Sequence, residues 1–497
     1  MRKSGILLHI SSLPSDYGIG TFGSEARRFC DFLEKSGQSL WQILPLGVTG
    51  YGDSPYQSFS SFAGNPYFID PVLLEEQGYL KKEEYENTDF GDDVSKVDYG
   101  KLYSSRYDML FSAYSRFDKE DAEYKKFCEE NSWWLDDFAL FMALKDEKNG
   151  ASWQSFDEDI KRREEKALLA AKKRLKEKTD FYKVIQYFFF SQWSSLKKYA
   201  NDKGIKIIGD IPIYVSPDSA DVWTSPENFE LDSSLRPVNV AGCPPDAFSV
   251  DGQLWGNPLY NWKYMKKDGY SWWRARMKFA LGLFDIVRID HFRGFDAFWS
   301  IPYGSKTAAS GKWVKGPGND LFAALKKELG EMPIIAEDLG FMTDSVKKLL
   351  KKTGYPGMKV LEFAFDPNGN SDYLLHNIEK NSVSYIGTHD NSPFCAWLAN
   401  TGENDREFAE KYMCLTDAEG KNWGAIRTLL SSPSDTVIIQ MQDILGLSEE
   451  ARMNTPSESE GNWTWRVRGE CINDWLADII RKKTSVYRRI PMENGNV

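Results

Sequence analysis

Four largely apolar runs in this chain each lead into a carboxylate. They are Ile207-Ile208-Gly209-Asp210, Ile286-Val287-Arg288-Ile289-Asp290, Ile334-Ile335-Ala336-Glu337 and Tyr385-Ile386-Gly387-Thr388-His389-Asp390. One acid after a strand serves equally well as a cap for the following helix. Four at equivalent depth on parallel strands converge on one mouth. Arg288 and Asp290 are two apart on a strand and so share a face. A guanidinium beside a carboxylate lowers its pKa and holds it ionised, as a carboxylate nucleophile requires. Glu337 follows the apolar Pro333-Ile334-Ile335-Ala336. Partial desolvation raises a glutamate's pKa and keeps it protonated for general-acid work. Two carboxyls with opposed tendencies across a pocket are the parts for cleaving a glycosidic bond. Asp390, beside His389, adds a third acid able to bond sugar hydroxyls while an oxocarbenium ion develops.

Those residues need strands to carry them. Eight short apolar or β-branched runs recur: Ile6–Ile10, Leu40–Leu44, Ile205–Ile211, Phe284–Ile289, Ile334–Ala336, Lys359–Phe363, Val383–Ile386 and Thr436–Met441. Each is largely apolar, as parallel strands buried on both faces are. Helical patterns such as Ser24–Lys35, Asp320–Glu328 and Thr343–Lys352 fall between them. Alternation of strand and helix predicts an α/β fold, and eight units predict a (β/α)8 TIM barrel with its site at the C-terminal strand ends. A doubly wound sheet is the alternative, but no G-x-G-x-x-G follows the first strand.

The spacing predicts one catalytic barrel over 1–497 with two insertions. A helical subdomain spans roughly 75–200, between the second and third strands, and an active-site loop spans roughly 212–275, between the third and fourth. Trp134, Phe138, Phe141 and Met142 mark one apolar helix face in the first insertion. Lys161–Lys178 reads as a solvated helix face. Trp133-Trp134 and Trp272-Trp273 read as packing. No C-terminal β-sandwich is expected.

Composition narrows the partners. The 497 residues carry 62 Lys and Arg against 73 Asp and Glu, a formal charge of −11, which argues against nucleic acid. No run approaches a membrane span, and the N-terminal apolar run is too short for a signal peptide. Six scattered Cys without C-x-x-C suit a reducing, cytoplasmic setting. Four His, no two spaced as a metal pair, predict no His-based metal site. Aromatics reach 14%; they pack cores and also stack on sugar rings.

The order Asp210, Arg288-x-Asp290, Glu337, His389-Asp390 resembles the signature regions of the α-amylase clan. The wording of longer stretches is closer to one branch, the amylomaltases or 4-α-glucanotransferases. The stretches are Ser54-Pro55-Tyr56-Gln57-Ser58-Phe59-Ser60-Ser61-Phe62-Ala63-Gly64-Asn65-Pro66, Ala241-Gly242-Cys243-Pro244-Pro245-Asp246 and Gly252-Gln253-Leu254-Trp255-Gly256-Asn257-Pro258-Leu259-Tyr260. The resemblance implies transfer of α-1,4-glucan segments with retention, with a glucan donor and a sugar acceptor as partners and no cofactor or catalytic metal. By position it implies Asp290 as nucleophile, Glu337 as acid/base and Asp390 as transition-state stabiliser. It implies Arg288 and His389 as donor-sugar contacts and Asp210 as a hydrogen-bonding support. Ser54, Tyr56, Asp246, Phe248, Trp255 and Asn257 would line the groove, and Tyr51 falls where some relatives stack glucan at a second surface site. Ala247 stands where many relatives carry a tyrosine. A plain α-glucan hydrolase using the same acids is the nearest rival reading, and a noncatalytic glucan-binding barrel the second. The presence of all three catalytic carboxylates argues against the latter.

Overall fold

A computed structural model describes residues 2–50, 52–245, 250–340, 342–456, 458 and 460–490. Tyr51 and the loop residues Asp246, Ala247 and Phe248 lie outside them. Twelve strands occur among the described residues: β1 Lys3–Leu7, β2 Leu40–Gln42, β3 Lys206–Ile211, β4 Asn239–Cys243, β5 Gln253–Pro258, β6 Ile286–Ile289, β7 Ala297–Pro302, β8 Lys312–Lys315, β9 Ile334–Ala336, β10 Gly357–Val360, β11 Ser382–Tyr385 and β12 Thr436–Gln440. Eight of them close into a barrel in the order β1-β12-β11-β10-β9-β6-β3-β2, every pair parallel. The (β/α)8 expectation is therefore borne out. β1 begins three residues before the apolar run Ile6–Ile10, and Leu361–Phe363 is a 3-10 turn rather than strand. Among the described residues no helix is long and apolar enough to cross a membrane.

Beyond their first residues the barrel strands are almost wholly buried, because helices cover the outside and side chains fill the inside. Ile207, Ile208, Val287, Ile289 and Ala336 have no exposed surface. Gly209 is required by packing: a Cβ there would stand 2.1 Å from the Phe284 ring. Register then sets the site. Asp210 lies opposite Arg288, and Ile289 opposite Ala336. Asp210, Arg288, Asp290 and Glu337 thus arrive on three adjacent strand ends.

Between β2 and β3 the helices Tyr99–Arg116, Ala122–Glu147 and Lys176–Asp202 pack through aromatic rings. Trp134 meets Phe190 at 5.9 Å and Phe138 meets Tyr182 at 6.5 Å, which places the Trp134, Phe138, Phe141 and Met142 face inward. The helix Lys176–Asp202 also anchors the strand-to-loop segment that leads to the site. Gln186 clamps both backbone groups of Gly64 at 2.8 Å, and Gln192 clamps those of Asp70 at 2.7 and 3.1 Å. Trp134 and Trp273 are buried; Trp133 is half exposed, with its edge on Phe62.

Between β3 and β9 lies a feature that no run in the sequence announces. β5-β4-β7-β8 form an antiparallel sheet, built from one hairpin before β6 and one after it. Asn239–Cys243 and Gln253–Pro258 are short and broken by Gly and Pro, so neither has a strand's signature. Asn239–Cys243 pairs with Ala297–Pro302, remote in sequence, on one side and with Gln253–Pro258 on the other, and this pairing makes them strands.

Candidate active site

Arg288, on β6, is the electrostatic centre of the barrel mouth. It is 2% exposed, and its Nη1 lies 2.5 Å from Asp210 Oδ2 and 3.0 Å from Asp290 Oδ1. Nε approaches Met358 Sδ at 3.3 Å. One buried cation therefore joins two carboxylates, the arrangement that makes a buried charge tolerable. Asp210 sits on β3 with 1% exposure, and burial pushes it up to about 7 even with Arg288 beside it.

The pKa expectation for Asp290 is corrected by its surroundings. Burial pushes it up, Arg288 pulls it back, and the charge of Asp390 pushes it up again; the net lies above the ordinary aspartate range. Arg288 divides its charge between two acids, which sequence spacing alone does not reveal. The Asp290 side chain keeps 29% of its surface exposed.

Glu337 behaves as its apolar approach suggests. It is 8% exposed, and burial followed by the charge of Asp290 lifts it to about 8. Its carboxyl is fixed from both sides: His291 N donates to Oε2 at 2.6 Å and Leu339 N to Oε1 at 2.7 Å. His291 takes a left-handed backbone, φ +53°, to aim that N–H. Such a conformation costs a non-glycine residue roughly 1–2 kcal/mol, and strain of this kind gathers at working sites. The His291 ring is buried and kept neutral, its pKa pushed down to about 3 by burial and then Arg293.

Tyr56 ties the two halves of the mouth together. Its hydroxyl donates to Asp210 Oδ2 at 2.9 Å and stands 2.9 Å from His389 Nε2. A hydroxyl has one proton to give, so His389 is the donor in the second contact and carries its proton on Nε2. The two rings stack at 5.4 Å and 10°. Burial pushes the His389 pKa down. Asp390 Oδ1 lies 3.5 Å from His389 Nε2 and accepts from Asn454 Nδ2 at 2.6 Å. A chain of contacts therefore runs Asp390–His389–Tyr56–Asp210–Arg288–Asp290.

The other sequence candidates divide. Trp255, on β5, is half-buried with its ring edge-on to His291 at 4.8 Å. Ser54 is half-buried, and its hydroxyl accepts from Tyr56 N at 3.3 Å. Asn257 is 4% exposed and fully engaged: Nδ2 donates to Val215 O at 2.7 Å and to Gln57 Oε1 at 3.3 Å, while Oδ1 accepts from Gln57 Nε2 at 3.1 Å. In this arrangement it clips the Tyr56 loop to β5. Behind Tyr56 and Asp210 is a cavity of about 60 Å³. Sequence reasoning missed His291, Asn454, Arg452 and Trp463. Arg452 Nη2 donates to Asp390 O at 2.8 Å, and Trp463 packs 5.8 Å from Tyr56. No strand end or periodicity marks the segment 452–463, so nothing local points to it.

A parallel barrel with three carboxylates grouped at its C-terminal mouth defines a glycoside-processing enzyme in architecture and parts. Comparison with known proteins makes the class specific. Residues 8–472 match the sequence profile of the 4-alpha-glucanotransferase family. The chain belongs to that family and is a glycosyltransferase of the amylomaltase type. It is 52% identical over 485 residues to the 4-alpha-glucanotransferase of Clostridium butyricum, covering 97% of this chain and 100% of that one. With the Thermus thermophilus 4-alpha-glucanotransferase it shares 46% over 479 residues, 94% of this chain and 95% of the relative. Among solved structures, the amylomaltase from Streptococcus agalactiae in complex with acarbose superposes with a TM-score of 0.97 at 46% identity, over 99% of this chain and 100% of that one.

Proposed function

We propose that the enzyme transfers α-1,4-glucan segments by a retaining double displacement, and that Asp290, Glu337 and Asp390 carry it. The observation behind this reading is the pairing of Asp290, bonded to buried Arg288, with a Glu337 held protonated on the neighbouring strand. Asp290 attacks the anomeric carbon of the donor sugar as the bond to the leaving 4-oxygen breaks, and Glu337 gives that oxygen its proton. The product is a glycosyl ester on Asp290 and a shortened glucan, which departs. Glu337, now a carboxylate, takes the proton from the 4-hydroxyl of an acceptor sugar. That oxygen attacks the anomeric carbon from the opposite side and Asp290 is released. Asp390, steadied by Asn454, bonds the donor ring's hydroxyls while positive charge develops. Trp255 and Tyr56 border the groove.

The Streptococcus agalactiae relative was solved with acarbose; acarbose is accordingly expected to inhibit this enzyme in competition with its donor. Incubation with maltotriose tests the reading. Transfer yields glucose together with chains longer than the substrate, whereas hydrolysis yields shortening alone. Asp290→Asn should lower turnover by several orders of magnitude in a folded protein. Near-normal transfer by that variant, with contamination excluded, would remove Asp290 from the mechanism.

A further inference from the structure

Two buried acids that take no part in the reaction lie behind the segment carrying His389 and Asp390. Glu362 is 6% exposed, and neither of its carboxyl oxygens has a hydrogen-bond partner. Asp443 is 1% exposed; its Oδ1 accepts from Phe394 N at 2.7 Å and its Oδ2 has no partner. They bracket one stretch of chain. Glu362 N donates to Ile386 O at 3.1 Å, and a Cβ on Gly387 would stand 2.9 Å from Glu362 Oε2. Phe394 N closes the other end. The stretch between Gly387 and Phe394, which includes His389 and Asp390, is thus held at both ends by this pair.

A carboxylate with no donor to either oxygen is not stable as an anion in a protein interior. Glu362 is further pressed toward neutrality by the charges of Asp443 and Glu449, against which Arg452 acts. Asp443 also faces Gln440 and Cys395. Arg452 links the two regions. Its Nη2 donates to Asp390 O at 2.8 Å, Nη1 to Ser392 Oγ at 3.0 Å, and Nε to Asn454 O at 2.9 Å. Asn454 in turn holds the Asp390 carboxylate. Arg452 Nη1 also pairs with Glu449 Oε1 at 3.0 Å; an ionised Glu362 would be a second carboxylate competing for this guanidinium, and a neutral one is not.

We propose that Glu362 is a positioning residue kept as a neutral acid beside Asp443, and that its neutrality leaves Arg452 to hold Asp390 and Asn454 in place at the donor sugar. Ionising Glu362 draws Arg452 off the Asp390 carbonyl, and turnover falls at alkaline pH. The inference rests on the role given to Asp390 above. The two fail differently: loss of that role would appear as an active Asp390→Asn, whereas failure of the inference alone would leave Asp390→Asn inactive and make the wild-type and Glu362→Gln profiles below coincide.

The test uses an α-maltosyl fluoride donor with a maltose acceptor. Fluoride leaves without a proton, so the alkaline limb belonging to Glu337 as acid is absent. The remaining alkaline fall in kcat is then read in three full-length proteins. Wild type should show the fall. Glu362→Gln, which fixes the neutral form, should keep kcat within about threefold at pH 7 and lose the fall. Asp443→Asn removes the charge that opposes ionisation and should move the fall to lower pH. Coincident wild-type and Glu362→Gln profiles overturn the proposal. So does a Glu362→Gln protein that stays folded by circular dichroism yet loses more than tenfold at pH 7. Should that variant not fold, an Asp443→Asn profile shifted to higher pH, or unshifted, overturns it on its own.

Discussion

Glu337 sits in an environment far from that of water. With its pKa near 8, it holds its proton across neutral pH and loses it as the medium becomes alkaline. On maltotriose, kcat/KM should therefore fall on the alkaline side with that group, because the leaving 4-oxygen needs the proton. Glu337→Gln should cripple maltotriose transfer by about 10²–10⁴-fold while sparing the first step on a glycosyl fluoride. Equal losses on both donors would take the acid role away from Glu337. The raised pKa is legible in the sequence, from Pro333-Ile334-Ile335-Ala336 alone. For Asp290 the same kind of reasoning fails, and the cause is specific. Arg288 stands two residues away, but its second partner, Asp210, lies 78 residues earlier in the chain. Only the pairing of β3 with β6 brings them together. Electrostatics at a barrel mouth depends on cross-strand neighbours, and those are set by register.

The same distinction explains which elements could be read. Barrel strands announce themselves because burial on both faces demands largely apolar runs, as in Ile205–Ile211 and Thr436–Met441. The β5-β4-β7-β8 sheet does not, since Gly242 and Gly256 interrupt its hairpin and its stability comes from partners elsewhere. Helix Ala122–Glu147 shows its buried face by period, yet its most consequential residue looks like an ordinary surface lysine. Lys145 is 3% exposed. Its Nζ bonds Asp218 Oδ2 at 2.6 Å and the carbonyls of Gly150 and Ala151 at 3.1 Å. It also lies 4.7 Å from the Phe59 ring centre. This contact fastens the helices before β3 to the chain that follows it on the way to β4. Lys145→Met keeps most of the volume but takes the donor from Asp218 Oδ2 and two carbonyls, leaving Asp218 only its bond from Trp153 N. The loss should be about 3 kcal/mol, the range for breaking a buried pair by removing one member. Urea unfolding measures it. A change under about 0.5 kcal/mol, the level of an ordinary surface substitution, would show that the junction does not depend on this lysine.

Across the whole molecule, the buried acids gather at the C-terminal mouth of the barrel and behind it. Asp210 and Asp443 are pushed to about 7, and Glu337 to about 8. Each binds its proton more tightly in the folded chain than in the unfolded one. Between the ordinary glutamate range and pH 8, the native state thus holds more protons than the unfolded state, and stability falls as pH rises. A tenfold difference in proton affinity between the two states corresponds to roughly 1.4 kcal/mol, so a single such group costs at most a few kcal/mol once fully ionised. The mouth is arranged for reaction at the expense of stability. Glu337→Gln makes the expense measurable. At pH 4 the wild-type carboxyl is neutral in the folded state and mostly neutral in the unfolded one, and the variant loses a backbone acceptor: one of the N–H groups of His291 and Leu339 must face an amide NH₂. The variant should be slightly less stable there. As pH rises, the wild type loses the contribution of its proton while glutamine has none to lose. The two curves should therefore cross, with the variant the more stable protein at pH 8 and above. Denaturant unfolding at pH 4, 6, 8 and 9 reads the difference directly. A gap that stays constant over that range would mean that Glu337 titrates alike in folded and unfolded chains, and its place as the protonated acid at neutral pH would go with it.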